Sequence, residues 1–280
     1  MEQQGNKFIS PGGWFSMIYP NDWSEFEDGE GSFLFYNPEK WTGNFRISAY
    51  KPSGKEAGNI DYGREFVKLE LKENSAASLV TVGRLECAYS KEMFLEEEAY
   101  YVTHTWITGI RDVAFECSFT VPKGGDCTEA EAVIASLEAR KEGVKYDAEL
   151  IPVRLSEIFL INESYDFVAS AVKDKLKKDF QGVEDDLENI QQIITIGDIK
   201  QKQREVWLSF GMVVCTILCN EIEGFQWRTL IDGNREAPVL LHLESNVLID
   251  PMKLVWSKVK NGEQPDVIEE YKQVMEQITK

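Results

Sequence analysis

The sequence predicts an α+β protein of two domains: an N-terminal antiparallel sheet with flanking helices over residues 1–150, then a mostly helical α+β domain with a small β-hairpin over 151–280. Three observations predict it. Aromatic and β-branched runs in the first half are cut by Pro, Asn, Asp and Gly, as strands and turns are. Those strands arrive in runs, with helices between the runs, which is the order of an antiparallel sheet with helices packed on it. Past residue 150 the apolar spacing becomes helical, and Trp207 to Leu218 is almost entirely apolar, as a central core helix would be.

The elements follow in order. Residues 1–13 read as a polar lead-in. Trp14–Tyr19, Phe33–Tyr36 and Phe45–Tyr50 read as a meander, with Pro20-Asn21-Asp22 as a turn and Glu25–Gly31 as an acidic loop. A helix is expected over Tyr62–Asn74, with Phe66 and Leu69 on its apolar side. Leu79–Val82, Leu85–Tyr89, Ala99–Ile107 and Val113–Val121 read as four strands, with a turn from Thr108-Gly109 to Asp112. Asp126 or Thr128 is placed to cap a helix over Thr128–Lys141. The first domain is expected to end near 143–151.

In the second half, helices are expected over Glu163–Phe180 and Asp185–Ile194. A long one should follow, capped by Asp198, to about Glu223, with Gly224 ending it. Trp227–Ile231 and Val239–His242 read as a hairpin joined by Asp232-Gly233-Asn234, and Val247–Ile249 as a further strand. Pro251 starts a helix to about Lys260, and Pro265–Ile278 is the last.

Charge narrows the function classes. The formal net charge is −18, and the acid is spread over both halves rather than held in a tail. Such a chain lacks the clustered Lys and Arg that nucleic acid or an anionic membrane surface requires. It suits a basic protein partner, and it equally suits plain solubility. No run of eighteen apolar residues exists, and the start carries no basic-then-apolar leader. With five cysteines, an odd number, free thiols in a reducing compartment are expected, and the cytoplasm with them.

Two stretches resemble known families. Tyr19-Pro20-Asn21-Asp22-Trp23, Gly43-Asn44-Phe45-Arg46-Ile47-Ser48 and Ile134-Ala135-Ser136-Leu137 together resemble the PsbP/Mog-like fold over about residues 14–141. Leu208-Ser209-Phe210-Gly211, Gln226-Trp227-Arg228, Val247-Leu248-Ile249-Asp250-Pro251 and Lys258-Val259-Lys260-Asn261-Gly262-Glu263 resemble an uncharacterised bacterial domain. In this order the halves resemble the adjacent domains of unknown function 3805 and 3806 of Bacteroides-type bacteria. The resemblance implies a fold and a host group, and no reaction. Ran binding, known for part of the Mog family, does not carry over to bacteria, which have no Ran.

No phosphate-binding loop, nucleophile elbow or HExxH helix is present, so no cofactor, metal or catalytic residue is expected. Cys127 near a helix start and His104 on a strand would make a nucleophile and base only if the fold joined them. Cys215 and Cys219 share a helix face, where they read as core or, with His242, as three zinc ligands. Glu92 and Glu96-Glu97-Glu98 read as a solvated loop, or as oxygen donors to a cation. Trp23, Trp41 and Arg46 are candidates to anchor a partner, or to cover the end of the sheet. Trp227, Arg228, Asp232 and His242 are candidates for a small-ligand or enzymatic site in the second domain.

Three readings follow. The first is a non-enzymatic cytoplasmic protein-binding or adaptor module, in one version an immunity-like protein that neutralises a basic toxin. The second is a small-ligand binder or enzyme with its site in the second domain. The third is a scaffold whose domains hold each other or a second copy.

Overall fold

The computed structural model of the chain describes residues 5–27, 31–54, 57–141, 143–197 and 199–279. The centre of the acidic loop and the expected cap Asp198 lie outside them. The architecture is α+β with antiparallel sheets throughout, in two compact units, 1–145 and 146–280.

The first unit runs β1 (Asn6–Ile9), β2 (Phe15–Tyr19), β3 (Ser24–Glu27), β4 (Ser32–Tyr36), β5 (Asn44–Tyr50), α1 (Tyr62–Glu73), β6 (Ser78–Val82), β7 (Leu85–Glu96), β8 (Ala99–Ile110), β9 (Val113–Pro122), α2 (Thr128–Ala135) and β10 (Glu138–Ala139). Seven strands form one sheet in the order β3-β4-β5-β9-β8-β7-β6, and β1-β2-β10 form a second. Alternation puts Phe33, Phe35, Phe45, Ile47, Cys87, Trp106, Phe115, Cys117 and Phe119 on one face of the large sheet. That face packs on Phe8, Phe15 and Met17 of the small sheet and on Val133, Ile134 and Leu137. The aromatic rings meet at edges and tilts, as between Phe15 and Phe115, whose centroids are 5.3 Å apart.

The opposite face is covered by α1 at one end only, through Val67 against Ala88 and Ile107. Here the backbones of Gly63 and Gly109 nearly touch. A Cβ on Gly109 would lie 2.3 Å from Gly63 Cα, and Gly63 N–H donates to Arg111 O at 2.9 Å. Gly109 therefore belongs to β8, and the turn falls on Arg111-Asp112. Three strands of this unit, β1, β3 and β10, and the outer half of β7 escape the sequence reading.

The second unit runs β11 (Glu149–Pro152), α3 (Leu155–Leu176), α4 (Asp186–Ile196), α5 (Arg204–Glu221), β12 (Phe225–Asp232), β13 (Arg235–His242), β14 (Leu248–Ile249), α6 (Pro251–Leu254), α7 (Trp256–Lys260) and α8 (Val267–Ile278). The α5 helix is its core, burying Trp207, Phe210, Val213, Val214, Cys215, Ile217 and Leu218. Gly211 lets the start of α6 ride against it, since a Cβ there would meet Pro251 O at 2.1 Å. Asp250 accepts from Met252 N–H at 3.0 Å and caps α6 while pairing with Arg235 at 2.7 Å. The helix expected to run unbroken from Pro251 to Lys260 is split at Val255, and α3 begins eight residues before the expected start.

Candidate functional site

The β7–β8 hairpin outgrows its neighbours. On one side β6 stops opposite Tyr89. On the other, β9 accompanies β8 as far as Tyr101, which faces Pro122. The pairing of β7 with β8 nevertheless continues to Glu96 and Ala99. Two residues, Glu97 and Glu98, close the hairpin with φ of 46° and 68°. A two-residue turn needs positive φ at both positions, and glutamate adopts it at a cost that glycine avoids.

The outer half of the hairpin is exposed on both faces. Residues 91–96 are all exposed, including Met93 at 54% and Leu95 at 59%. On the face shared with α1, Phe94 stacks on Tyr101 at 5.7 Å, and Trp41 meets Tyr101 edge-on at 6.0 Å. Trp41 Nε1 donates to Asn44 Oδ1 at 2.7 Å, which steadies the indole. On the other face stand Met93, Leu95 and Tyr100, with Lys123 Nζ 5.5 Å over the Tyr100 ring. Glu92, Glu96, Glu97 and Glu98 frame these apolar groups.

The other expected site residues scatter. Trp41 joins the aromatic row, and Arg46 lies exposed on the same face of the sheet, in register with Ser118. Trp23 does not: it is 3% exposed, lying between Phe45 and Phe119 at 6.1 and 5.9 Å. It is a core residue, because its strand connection folds under the sheet.

The second-unit candidates do not come together. Trp227 and Arg228 are adjacent on β12 and so face opposite ways; Trp227 packs on the core and Arg228 donates to Gln226 Oε1 at 2.9 Å. Phe225 pairs with His242 and Asp232 with Arg235, at opposite ends of the hairpin, roughly 24 Å apart at strand rise. His242 is buried, its Nδ1 2.8 Å from Ser245 Oγ.

Cys127 and His104 come to the same side of the sheet, with Tyr89 and Glu131. Tyr89 Oη and His104 Nδ1 share a hydrogen bond at 2.7 Å. Burial, then Glu131 and Asp126, push the Cys127 thiol up. Burial, then Lys91, pull His104 down. A raised thiol is the reverse of an activated nucleophile. Cys215 is buried and its thiol is pushed well up by burial. No group of three or more metal-ligating side chains occurs among the described residues. No helix among them is long and apolar enough to cross a membrane.

A cleft of about 750 Å³ opens at the start of α1, lined by Arg64, Arg111, Lys141, Asp61 and Asp112 among others. A groove of about 320 Å³ on α3 and α5 is lined by Leu160, Phe167, Val206 and Leu208.

Two family models match the chain: Domain of unknown function (DUF3805) over residues 3–162 and Domain of unknown function (DUF3806) over 186–271. A crystal structure from Bacteroides thetaiotaomicron is 63% identical, with 98% of this chain and 99% of that chain covered and a TM-score of 0.92. The cyanobacterial PsbP of Synechocystis is 12% identical over 49% of this chain and 94% of that one, with a TM-score of 0.27. LpqN of Mycobacterium tuberculosis, described as involved in cell envelope biogenesis, is 14% identical over 50% and 87%, with a TM-score of 0.29. No curated protein matches the chain.

Proposed function

This chain belongs to the family of the domain of unknown function DUF3805, and from that premise, which fixes kinship and no reaction, we propose that it is a non-enzymatic protein-binding module for a basic partner. What supports the reading is the outer half of the β7–β8 hairpin. Exposed apolar and aromatic groups gathered on one projection are costly to leave in water and are the usual mark of a protein contact. Here they stand inside a frame of four glutamates on a chain of net charge −18. Such a field speeds encounter with a basic surface and rejects acidic ones. Five free cysteines suit the cytoplasm as its compartment.

The test is affinity capture of the tagged full-length protein from a Bacteroides lysate at low and high salt. It is run beside a variant carrying Met93→Ser, Phe94→Ser and Leu95→Ser. A stoichiometric partner lost both at high salt and in the variant is the expected result. Capture that ignores the variant would sink the assignment to this surface.

A second reading rests on the cleft at α1. Three cations against two carboxylates, beside the N-terminus of a helix, suit a small anion. Calorimetry with inorganic phosphate and with dicarboxylates decides it, and Arg111→Ala should abolish any binding seen.

A further inference from the structure

We propose that the free edge of β7 takes up an extended segment of the basic partner as an added strand. The proposal rests on the protein-binding reading above and names how that surface works.

The register leaves this edge open. The two-residue turn makes Glu96 and Ala99 a hydrogen-bonded pair, so the even residues of β7 direct their N–H and C=O groups at β8. The odd residues point the other way. Leu85, Cys87 and Tyr89 spend those groups on β6. From Lys91 onward no strand lies alongside among the described residues, so Lys91, Met93 and Leu95 present their backbone groups outward. The segment has no proline and no covering helix, two of the usual devices for blunting an edge. Charges at Lys91, Glu92 and Glu96 are its only guards.

Side chains set the preference. An added strand places its residues beside Glu92, Met93, Phe94, Leu95 and Glu96 in turn. Cross-strand neighbours favour opposite charge and apolar contact. The matching segment therefore carries two basic residues four apart, with three apolar or aromatic residues between them. A second copy of this chain is the obvious rival occupant. It would bring the same four glutamates against these four, on a body of like net charge, so charge favours the basic segment.

The experiment uses the full chain and the peptide acetyl-Ser-Lys-Val-Tyr-Val-Lys-Ser-amide. The same peptide with Glu for Lys is the control. Two further versions are N-methylated on one or the other alternate set of residues. The expected result is salt-sensitive binding, at least tenfold weaker for the Glu peptide, with slowed hydrogen exchange over residues 90–96. One methylated set should abolish binding and the other should leave it, because only one set of peptide N–H groups faces β7. Met93→Pro should also abolish it with the melting curve unchanged, since the lost N–H points away from β8. Binding without protection of 90–96, or equal binding by both methylated peptides, overturns strand addition and leaves the protein-binding reading standing. No binding, or equal binding of the Glu peptide, overturns it too, and the lysate capture then judges the broader reading by itself. A dimer seen by light scattering with 90–96 protected would give the edge to a second copy, and would also overturn the proposal.

Discussion

Trp41 and Tyr101 meet edge to face at 6.0 Å, although one lies in the loop before β5 and the other on β8. The contact ties a mobile kind of element, a loop, to the root of a projecting hairpin. An exposed aromatic pair contributes about 0.5–1.5 kcal/mol beyond area burial. Trp41→Ala is therefore expected to lower stability by about 1 kcal/mol and partner capture by tenfold or more. Chemical denaturation and quantitative pull-down separate the two effects. A stability loss with undiminished capture would make Trp41 a packing residue.

The Gly63–Gly109 contact admits no side chain on either backbone. Gly109 has an ordinary strand conformation, so Gly109→Ala acts by sterics and not by strain of φ. It must lift α1 from the sheet, and overpacking of this kind costs about 1–3 kcal/mol or more. Thr105→Ala, on the same strand and the same open face, should stay within about 1 kcal/mol. Urea midpoints give both numbers.

Arg154 is 2% exposed, and its guanidinium reaches Glu157 at 2.5 Å and Glu236 at 2.7 Å. Thr229 O–H donates to the same Glu157 carboxylate at 3.3 Å. Glu157→Ala leaves a buried cation short of its main partner and should cost about 3–5 kcal/mol. Replacing both, Arg154→Met with Glu157→Leu, should recover most of that loss. A double variant as unstable as the single one would show that the pair stabilises outright.

Acid and alkali should each find a specific weak point. His104 titrates below its ordinary value because burial disfavours its charged form. The unfolded chain then binds the proton more readily, so stability present above about pH 6.5 is lost as pH falls through the lower, folded value. His104→Asn should flatten that slope. Burial, then Glu184, push Tyr271 up to about 12. Its contribution holds below pH 10 and fades as pH rises from about 10 to 12, and Tyr271→Phe should remove the fading. Melting temperature against pH tests both.

The thiols should be slow. Burial raises Cys127 and Cys219, the two half-exposed ones, and hides Cys87, Cys117 and Cys215. Iodoacetamide at pH 7 should label the first pair more slowly than glutathione and the other three only on unfolding. Rapid labelling of Cys127 would mean that it is activated by something the folded chain does not show.

Much of the fold is legible where side chains alternate strongly. Phe45-Arg46-Ile47 and Phe115-Glu116-Cys117 announce one buried and one open face by themselves. The missed strands lack that signal. Ser24–Glu27 is acidic and exists because β4 pairs with it. Asn6–Ile9 buries only Phe8 and Ile9. Lys91 and Glu92 hide the continuation of β7, which register with β8 supplies. The candidate surface is half legible for the same reason. Trp23 and Trp41 look alike in sequence, and only the position of Phe45 and Phe119 sends one indole inward. An open edge on β7 depends on where β6 stops, and no local pattern records that.

The small sheet of the first unit joins distant parts of the chain. Ser16 and Phe15 of β2 pair with Glu138 and Ala139 of β10, and Ser136 Oγ accepts from Ile18 N–H at 2.8 Å. A ribosome must therefore release nearly the whole unit before its first strands can close. Until then one edge of β2 has no partner in the growing chain, and Phe15 and Met17 lack the cover of α2. During synthesis its N-terminal strands therefore wait for a late partner, with apolar side chains uncovered in the meantime.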